Sequence, residues 1–178
     1  AIDEATCDEI GILVTRLNAT LLASALGEAA YPRIATCQGE ALEYSCSGRI
    51  VVMGGVTPAQ TTDAVAAVLA ERAGADLLVN LTSVDGIYSA DPKKDPSARK
   101  FARLTPAELL EIVGRDSLEA GSNTVMDMVA AKVVQRSGIP LLVLDGRDPA
   151  NLERALLLGL EIGTLVSAGG SSPLPLKP

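Results

Sequence analysis

The stretch RIVVMGGVTPAQTTDAVAAVLAERAGADLLVNLTSVDG, residues 49–86, decides the fold class. RIVVMGG (49–55) is a short apolar run that stops in two glycines, as a buried strand does on reaching a turn. TTDAVAAVLAERA then has helical spacing, with Thr61 or Thr62 at its start and an end near Ala73. DLLVNLTS (76–83) is again a buried-strand run, closed by an Asp85-Gly86 turn. Strand, loop, helix, strand is the unit of an open α/β sheet.

The same order continues downstream. TPAELLEIVG predicts a helix capped by Thr105 with Pro106 in its first turn, and NTVMDMVAAKVVQRSG one closed by Gly138. IPLLVLDG predicts a strand, PANLERALLLG a helix and GTLVSA a last strand. Upstream, residues 6–30 predict a helix with Ile10, Leu13, Val14, Leu17, Leu21 and Leu22 at helical spacing, capped by Thr6 with Glu9 three residues on and ended by Pro32. Residues 33–48 read as ambiguous, and VDGIYSADPKKDPSARKFARL as a long polar loop. The expected architecture is α/β: an open, mostly parallel sheet sandwiched by helices, in a single domain over residues 1–178.

Composition narrows the chemistry. The 178 residues are 48% hydrophobic but only 2% aromatic, which suits Val/Leu/Ile strands under Ala-rich helices. A net charge of −7 speaks against a groove tracking a nucleic-acid backbone, though not against a small phosphorylated ligand. With no histidine, Ser-His-Asp and Cys-His chemistry is excluded, and Cys7, Cys37 and Cys46 have no zinc-like spacing. No run reaches about 18 uninterrupted apolar residues, so no membrane span is expected. The unpaired cysteine pattern and the lack of a signal-peptide order point to the cytoplasm.

Three clusters carry candidate chemistry. In MGGVTPAQTTDA (53–64), Gly54 and Gly55 either admit a phosphate or make a turn. Thr61, Thr62 and Asp63 either bind at a helix N-terminus or merely cap it. No Walker A pattern is present. LTSVDGIYSADPKKDP (81–96) follows a strand and offers Asp85, Tyr88, Asp91, Lys93 and Lys94, as either a nucleotide loop or a solvated one. Asp127, amid Val125, Met126, Met128 and Val129, reads as a partly buried carboxylate that needs a partner or a task. Arg16 interrupts the apolar pattern of the first helix, as an ordinary helix-face residue or a ligand contact.

TTDAVAAVLAERAGADLLVNLTSVDGIYSADPKKDPSARKFARLTPAELLEIV together with GSNTVMDMVAAKVVQRSGIPLLVLDG resembles the nucleotide-binding half of uridylate (UMP) kinases of the archaeal type, in the amino-acid kinase family. The VDG-x-Y-x-ADP-x-x-DP run is the specific part. The resemblance implies phosphoryl transfer from ATP to UMP with Mg²⁺, in pyrimidine nucleotide biosynthesis, by a cytoplasmic hexamer; it names no protein metal site. Charge and hydropathy give no nucleic-acid or membrane partner. It implies that about residues 1–55 form the UMP side and subunit interface, and 56–178 the ATP-binding part.

Residue by residue, Gly54, Gly55, Thr61, Thr62, Arg16 and Asn18 match positions on the UMP side. Thr82, Val84, Asp85, Tyr88, Asp91 and Lys93 match the ATP side. Asp63 matches the catalytic carboxylate that organises the family's catalytic lysines, and Asp127 a catalytic carboxylate near the nucleotide phosphates. Two departures stand out: archaeal relatives read Gly-His where this chain has Ala59-Gln60, and the family's first strand with its phosphate loop is not in the sequence. Alternatives within the fold are an acetylglutamate or carbamate kinase, or a non-catalytic, molybdate-storage-like nucleotide-binding subunit.

Overall fold

Asp3 starts the first helix by accepting hydrogen bonds from the Thr6 N–H and hydroxyl, both at 2.9 Å. In the computed structural model, which describes residues 2–92, 94–116, 126–169 and 173–176, that helix (α1) runs Glu4–Leu26. The cap is therefore Asp3 rather than Thr6. The helix ends at Gly27, before Pro32, because glycine takes a positive φ of 57° that ends α-geometry; a 3₁₀ turn, Gly27–Ala29, follows. The chain divides into two compact units, Ala1–Leu69 and Ala70–Pro178.

In the first unit, residues 33–48 resolve into α2, Gln38–Ser45. The apolar run at 49–55 is extended but is not a strand of a continuous ladder. It makes isolated parallel bridges, Ala30 to Ile50 and Ala35 to Met53. Pro32 lies between those two partners and has no N–H to give, so the ladder is interrupted there. Ala35, Ala41 and Tyr44 form a small core with Tyr31, Val51, Met53 and Leu69 around it, and the Tyr31 and Tyr44 rings stack at 4.2 Å.

The helical spacing of Ile10, Leu13, Val14, Leu17, Leu21 and Leu22 is real, but these side chains are 49% to 64% exposed. Within its own unit α1 turns the opposite side inward. Averaged over a window, Glu4–Ala29 reaches a mean hydropathy of 1.5, so by length and composition alone it could span a bilayer, contrary to the count of uninterrupted apolar residues.

The helix expected after the glycine pair is α3, Thr62–Ala73. The second unit holds the sheet. Its strands are β1 (Leu78–Thr82), β2 (Arg103–Leu104), β3 (Leu141–Asp145) and β4 (Thr164–Val166), in spatial order β1-β3-β4-β2. β1 pairs parallel with β3 and β2 parallel with β4, while β3 and β4 run antiparallel. The mostly parallel sheet is as expected; β2, two residues inside a polar stretch, was not foreseen.

Central β3 is buried from Leu141 to Leu144, as a strand covered on both faces must be. Its Leu142 and Leu144 pack with Ala155 of α6 (Ala150–Leu158) and with Leu77, Val79 and Leu156. α4 (Pro106–Asp116) opens with the predicted Thr105 cap, which forms a reciprocal capping box with Glu108. It packs on α5 (Met128–Ser137), and the helix expected from residue 123 thus begins later; residues 117–125 lie outside the described residues.

Candidate nucleotide site

In the first unit the glycine pair sits against α1. A Cβ on Gly54 would lie 2.7 Å from Arg16 Cγ and 3.0 Å from the Arg16 backbone, and one on Gly55 3.1 Å from Ile12 Cγ1. Close helix approach is therefore one reason for glycine at both positions. The Gly55 N–H donates to the Thr15 hydroxyl at 2.7 Å, and Arg16 Nε donates to the Gly55 carbonyl at 3.1 Å. Arg16 also reaches the Thr36 carbonyl at 3.4 Å.

The structure thus brings Arg16, Gly54 and Gly55 together, and adds Thr15. Asn18 is exposed two residues along α1, roughly 200° around the helix from Arg16. It is not gathered with them.

Before α3, the Thr61 hydroxyl accepts the Ala64 N–H at 3.0 Å and so caps the helix, with Thr62 exposed and Asp63 half-buried in the first turn. Ala59 has φ +62°, unusual for a residue with a Cβ, and its N–H is held by Asp8 at 2.8 Å. This is the position where the resemblance anticipated glycine.

In the second unit the loop after β1 is folded, not merely solvated. Thr82 accepts the Val84 N–H at 2.9 Å. Residues 87–89 and 99–101 then run antiparallel, through Ser89 N–H to Arg99 carbonyl and Phe101 N–H to Ile87 carbonyl, both 2.9 Å, with a Tyr88–Lys100 bridge between. Asp85 accepts the Tyr88 phenol at 2.8 Å and Lys100 Nζ at 3.1 Å. Partial desolvation pushes the Asp85 carboxyl up, but the bonds from Tyr88 and Lys100 and the lysine's charge outweigh it, leaving Asp85 below the ordinary value. The same bond to Asp85 raises the Tyr88 phenol.

At the loop tip the Asp91 carbonyl accepts the Lys94 and Asp95 N–H groups. Thr82, Val84, Asp85, Tyr88 and Asp91 therefore belong to one structured loop, and Lys93 lies outside the described residues. That loop leaves the carboxyl end of β1, where open α/β sheets place ligands. Thr82 is paired with Asp145 across β1 and β3, and Asp145 is clamped by Arg147.

Asp127 is not inside a helix. It is the N-cap of α5, accepting the Val129 and Ala130 N–H groups at 2.7 and 3.0 Å. Its partly buried position fits the sequence reading, and these bonds are part of its partnership. Among the described residues no three carboxylate or cysteine groups gather as a metal site. The sequence reading passed over Lys100, which carries no distinguishing pattern, and Thr164, one of two hydroxyl residues in the run GTLVSA.

The amino acid kinase family model matches residues 1–145, and the chain belongs to that family. Its relatives place it more finely. A uridylate kinase of Methanospirillum hungatei is 64% identical over 98% of this chain and 74% of its own length. One of Methanoculleus marisnigri is 64% identical over 97% and 74%. Within the family the chain groups with the archaeal uridylate kinases. The crystal structure of the uridylate kinase of Archaeoglobus fulgidus superposes with a TM-score of 0.84 at 47% identity, over 94% of this chain and 74% of that one. A UMP kinase of Bacillus anthracis shares the fold, with a TM-score of 0.77 at 24% identity over 96% of this chain and 72% of that one.

Proposed function

We propose that this chain transfers the γ-phosphoryl group of ATP to UMP, giving UDP and ADP. The observation that carries the reading is the 64% identity to curated uridylate kinases over 98% of the chain. The folded loop from Thr82 to Asp91 at a strand's carboxyl end supports it. An acetylglutamate- or carbamate-kinase activity, or a non-catalytic subunit, is not favoured by those relatives.

A phosphate oxygen of UMP attacks the γ-phosphorus in line, forming one P–O bond as the bond to the β-phosphate bridging oxygen breaks. No histidine is needed, because positioning and charge supply most of the catalysis. Arg16, Gly54, Thr61 and Thr62 serve the UMP side, and Asn18, on the other side of α1, the subunit interface next to it. Gly55 serves it chiefly by fixing the strand end on α1, since its N–H is given to Thr15.

Tyr88 and its Asp85 partner, with Thr82, Val84, Asp91 and Lys93, serve ATP. Asp63 and Asp127 are the catalytic carboxylates. Mg²⁺ would enter with the phosphates of ATP, as suits an ion that keeps several non-protein ligands.

We assign residues 1–55 to the UMP side and interface and 56–178 to the ATP part, within one functional domain. The exposed stripe of Ile10, Leu13, Val14, Leu17 and Leu21 is read as a face covered by a second copy, in a cytoplasmic hexamer serving pyrimidine nucleotide synthesis. Coupled ADP-release assays with UMP, CMP, acetylglutamate and carbamate test the activity; turnover with UMP well above the others is expected, and its absence overturns the reading. Light scattering tests the assembly, with a monomer as the refuting result and detergent-dependent solubility as the membrane alternative.

A further inference from the structure

Among the described residues of the second unit the least accessible polar side chain is Thr164, which is 0% exposed at the start of β4. Its hydroxyl accepts the Ile87 N–H at 2.8 Å and donates to the Phe101 carbonyl at 2.5 Å. Those two groups lie on opposite arms of the hairpin that follows β1, and Thr164 is separated from them by 77 and 63 positions in sequence. One hydroxyl thus uses both its donor and an acceptor site to close the base of the loop onto the sheet.

Gly86 completes the fit. Its φ is +151°, and a Cβ there would stand 2.7 Å from Thr164 Oγ1 and 3.1 Å from Lys100 Cδ. Above this base lie the Tyr88–Asp85–Lys100 hydrogen bonds and the Asp91 turn. Ile87, 2% exposed, anchors the same arm in the core.

We propose that Thr164 is a positioning residue for the nucleotide loop: by tying both arms to β4 it holds Tyr88 and Asp91 in the arrangement that receives ATP. The inference rests on the ATP-dependent reading above for its functional half. A loop that is competent in only a fraction of molecules weakens apparent affinity by that fraction. Loss of the latch that leaves roughly a tenth of loops ordered gives about a tenfold rise in apparent Kd.

The variants are Thr164→Val, which keeps the shape and removes both bonds, and Thr164→Ser, which keeps both. Thr164→Val is expected to raise the KM for ATP and the Kd for a non-hydrolysable ATP analogue about tenfold, with the KM for UMP and kcat at saturating ATP near the parent's. Thr164→Ser is expected to restore ATP affinity. Parent-like ATP affinity in Thr164→Val, or equal losses toward ATP and UMP, overturns the proposal.

Hydrogen exchange on the parent protein gives a readout that needs no variant to fold. The Ile87 amide should exchange as slowly as those of Leu141–Leu144, whereas exchange as fast as at exposed Lys94 and Ser97 refutes the latch. A parent protein that fails to phosphorylate UMP sinks the proposed activity. The exchange and analogue-binding results still decide the role of Thr164.

Discussion

Asp127 carries two assignments that a pair of substitutions separates: N-cap of α5 and catalytic carboxylate. As a cap it accepts N–H groups at 2.7 and 3.0 Å. Replacing such a cap with alanine costs about 1 kcal/mol, within a range of roughly 0.5–2. In a domain of this size that lowers Tm by about 2–4 °C per kcal/mol. Asparagine still offers an oxygen to the same N–H groups and loses only the charge at the helix N-terminus, about 0.3–1 kcal/mol. Asp127→Asn should therefore melt within about 4 °C of the parent, and Asp127→Ala about 1–8 °C below it.

Catalysis responds differently. If the carboxylate stabilises the transferring phosphoryl group or its attendant cations, both variants lose about 10²-fold in kcat, close to 2.7 kcal/mol at about 1.4 kcal/mol per tenfold. The assays are thermal melting and ADP release at saturating ATP and UMP. A kcat for Asp127→Asn within twofold of the parent would falsify the catalytic assignment and leave Asp127 a cap. Loss of activity only in the alanine variant, in step with its Tm, would say the same.

Three further outcomes follow from particular backbone and side-chain positions. Ala59→Gly should raise stability by about 0.5–1 kcal/mol, since a Cβ at φ +62° is unfavourable; an unchanged or lower Tm refutes this. Gly163→Ala should largely prevent folding, costing more than about 3 kcal/mol, because its Cβ would meet the Val143 carbonyl oxygen at a glycine with φ +86°; soluble protein with the parent's Tm contradicts it.

The third outcome concerns acid. Hydrogen bonds from Arg147 bring the Asp145 carboxyl down to about 2 from 3.8. A folded-state value below the unfolded one means this pair stabilises the protein above the unfolded value, and the contribution is lost as pH falls toward about 2. Carboxyl NMR should show that midpoint, and Arg147→Ala should move it upward; a midpoint that does not move shows that Arg147 is not the cause.

By itself the sequence determined the local elements whose signals are local. The Thr105–Glu108 capping box, the helix beginning at Thr62, the apolar run of β3 and the Gly159 stop after α6 are all set by residues a few positions apart. β1, by contrast, was read as a buried strand and is only half-buried, with Leu81 exposed. The motif VDGIYSADPKKDP likewise marked the loop that is proposed to receive the nucleotide. Asp127 was legible as a special carboxylate, but not as a cap, because the apolar pattern on both sides reads as uninterrupted helix.

Tertiary structure decided what depends on distant partners. The run at 49–55 was expected to be a strand, and its pairing with residues 30–35 is broken at Pro32, which no local window around Val51 contains. Helical spacing in α1 said that one face is apolar, but not that this face lies outside its own unit. The order β1-β3-β4-β2, with β3 and β4 antiparallel, follows from chain crossings that periodicity does not encode. Thr164 is the sharpest case: one hydroxyl in an apolar strand has no meaning until folding brings Ile87 and Phe101 within hydrogen-bond reach, because a buried polar group is specified by its partners rather than its neighbours.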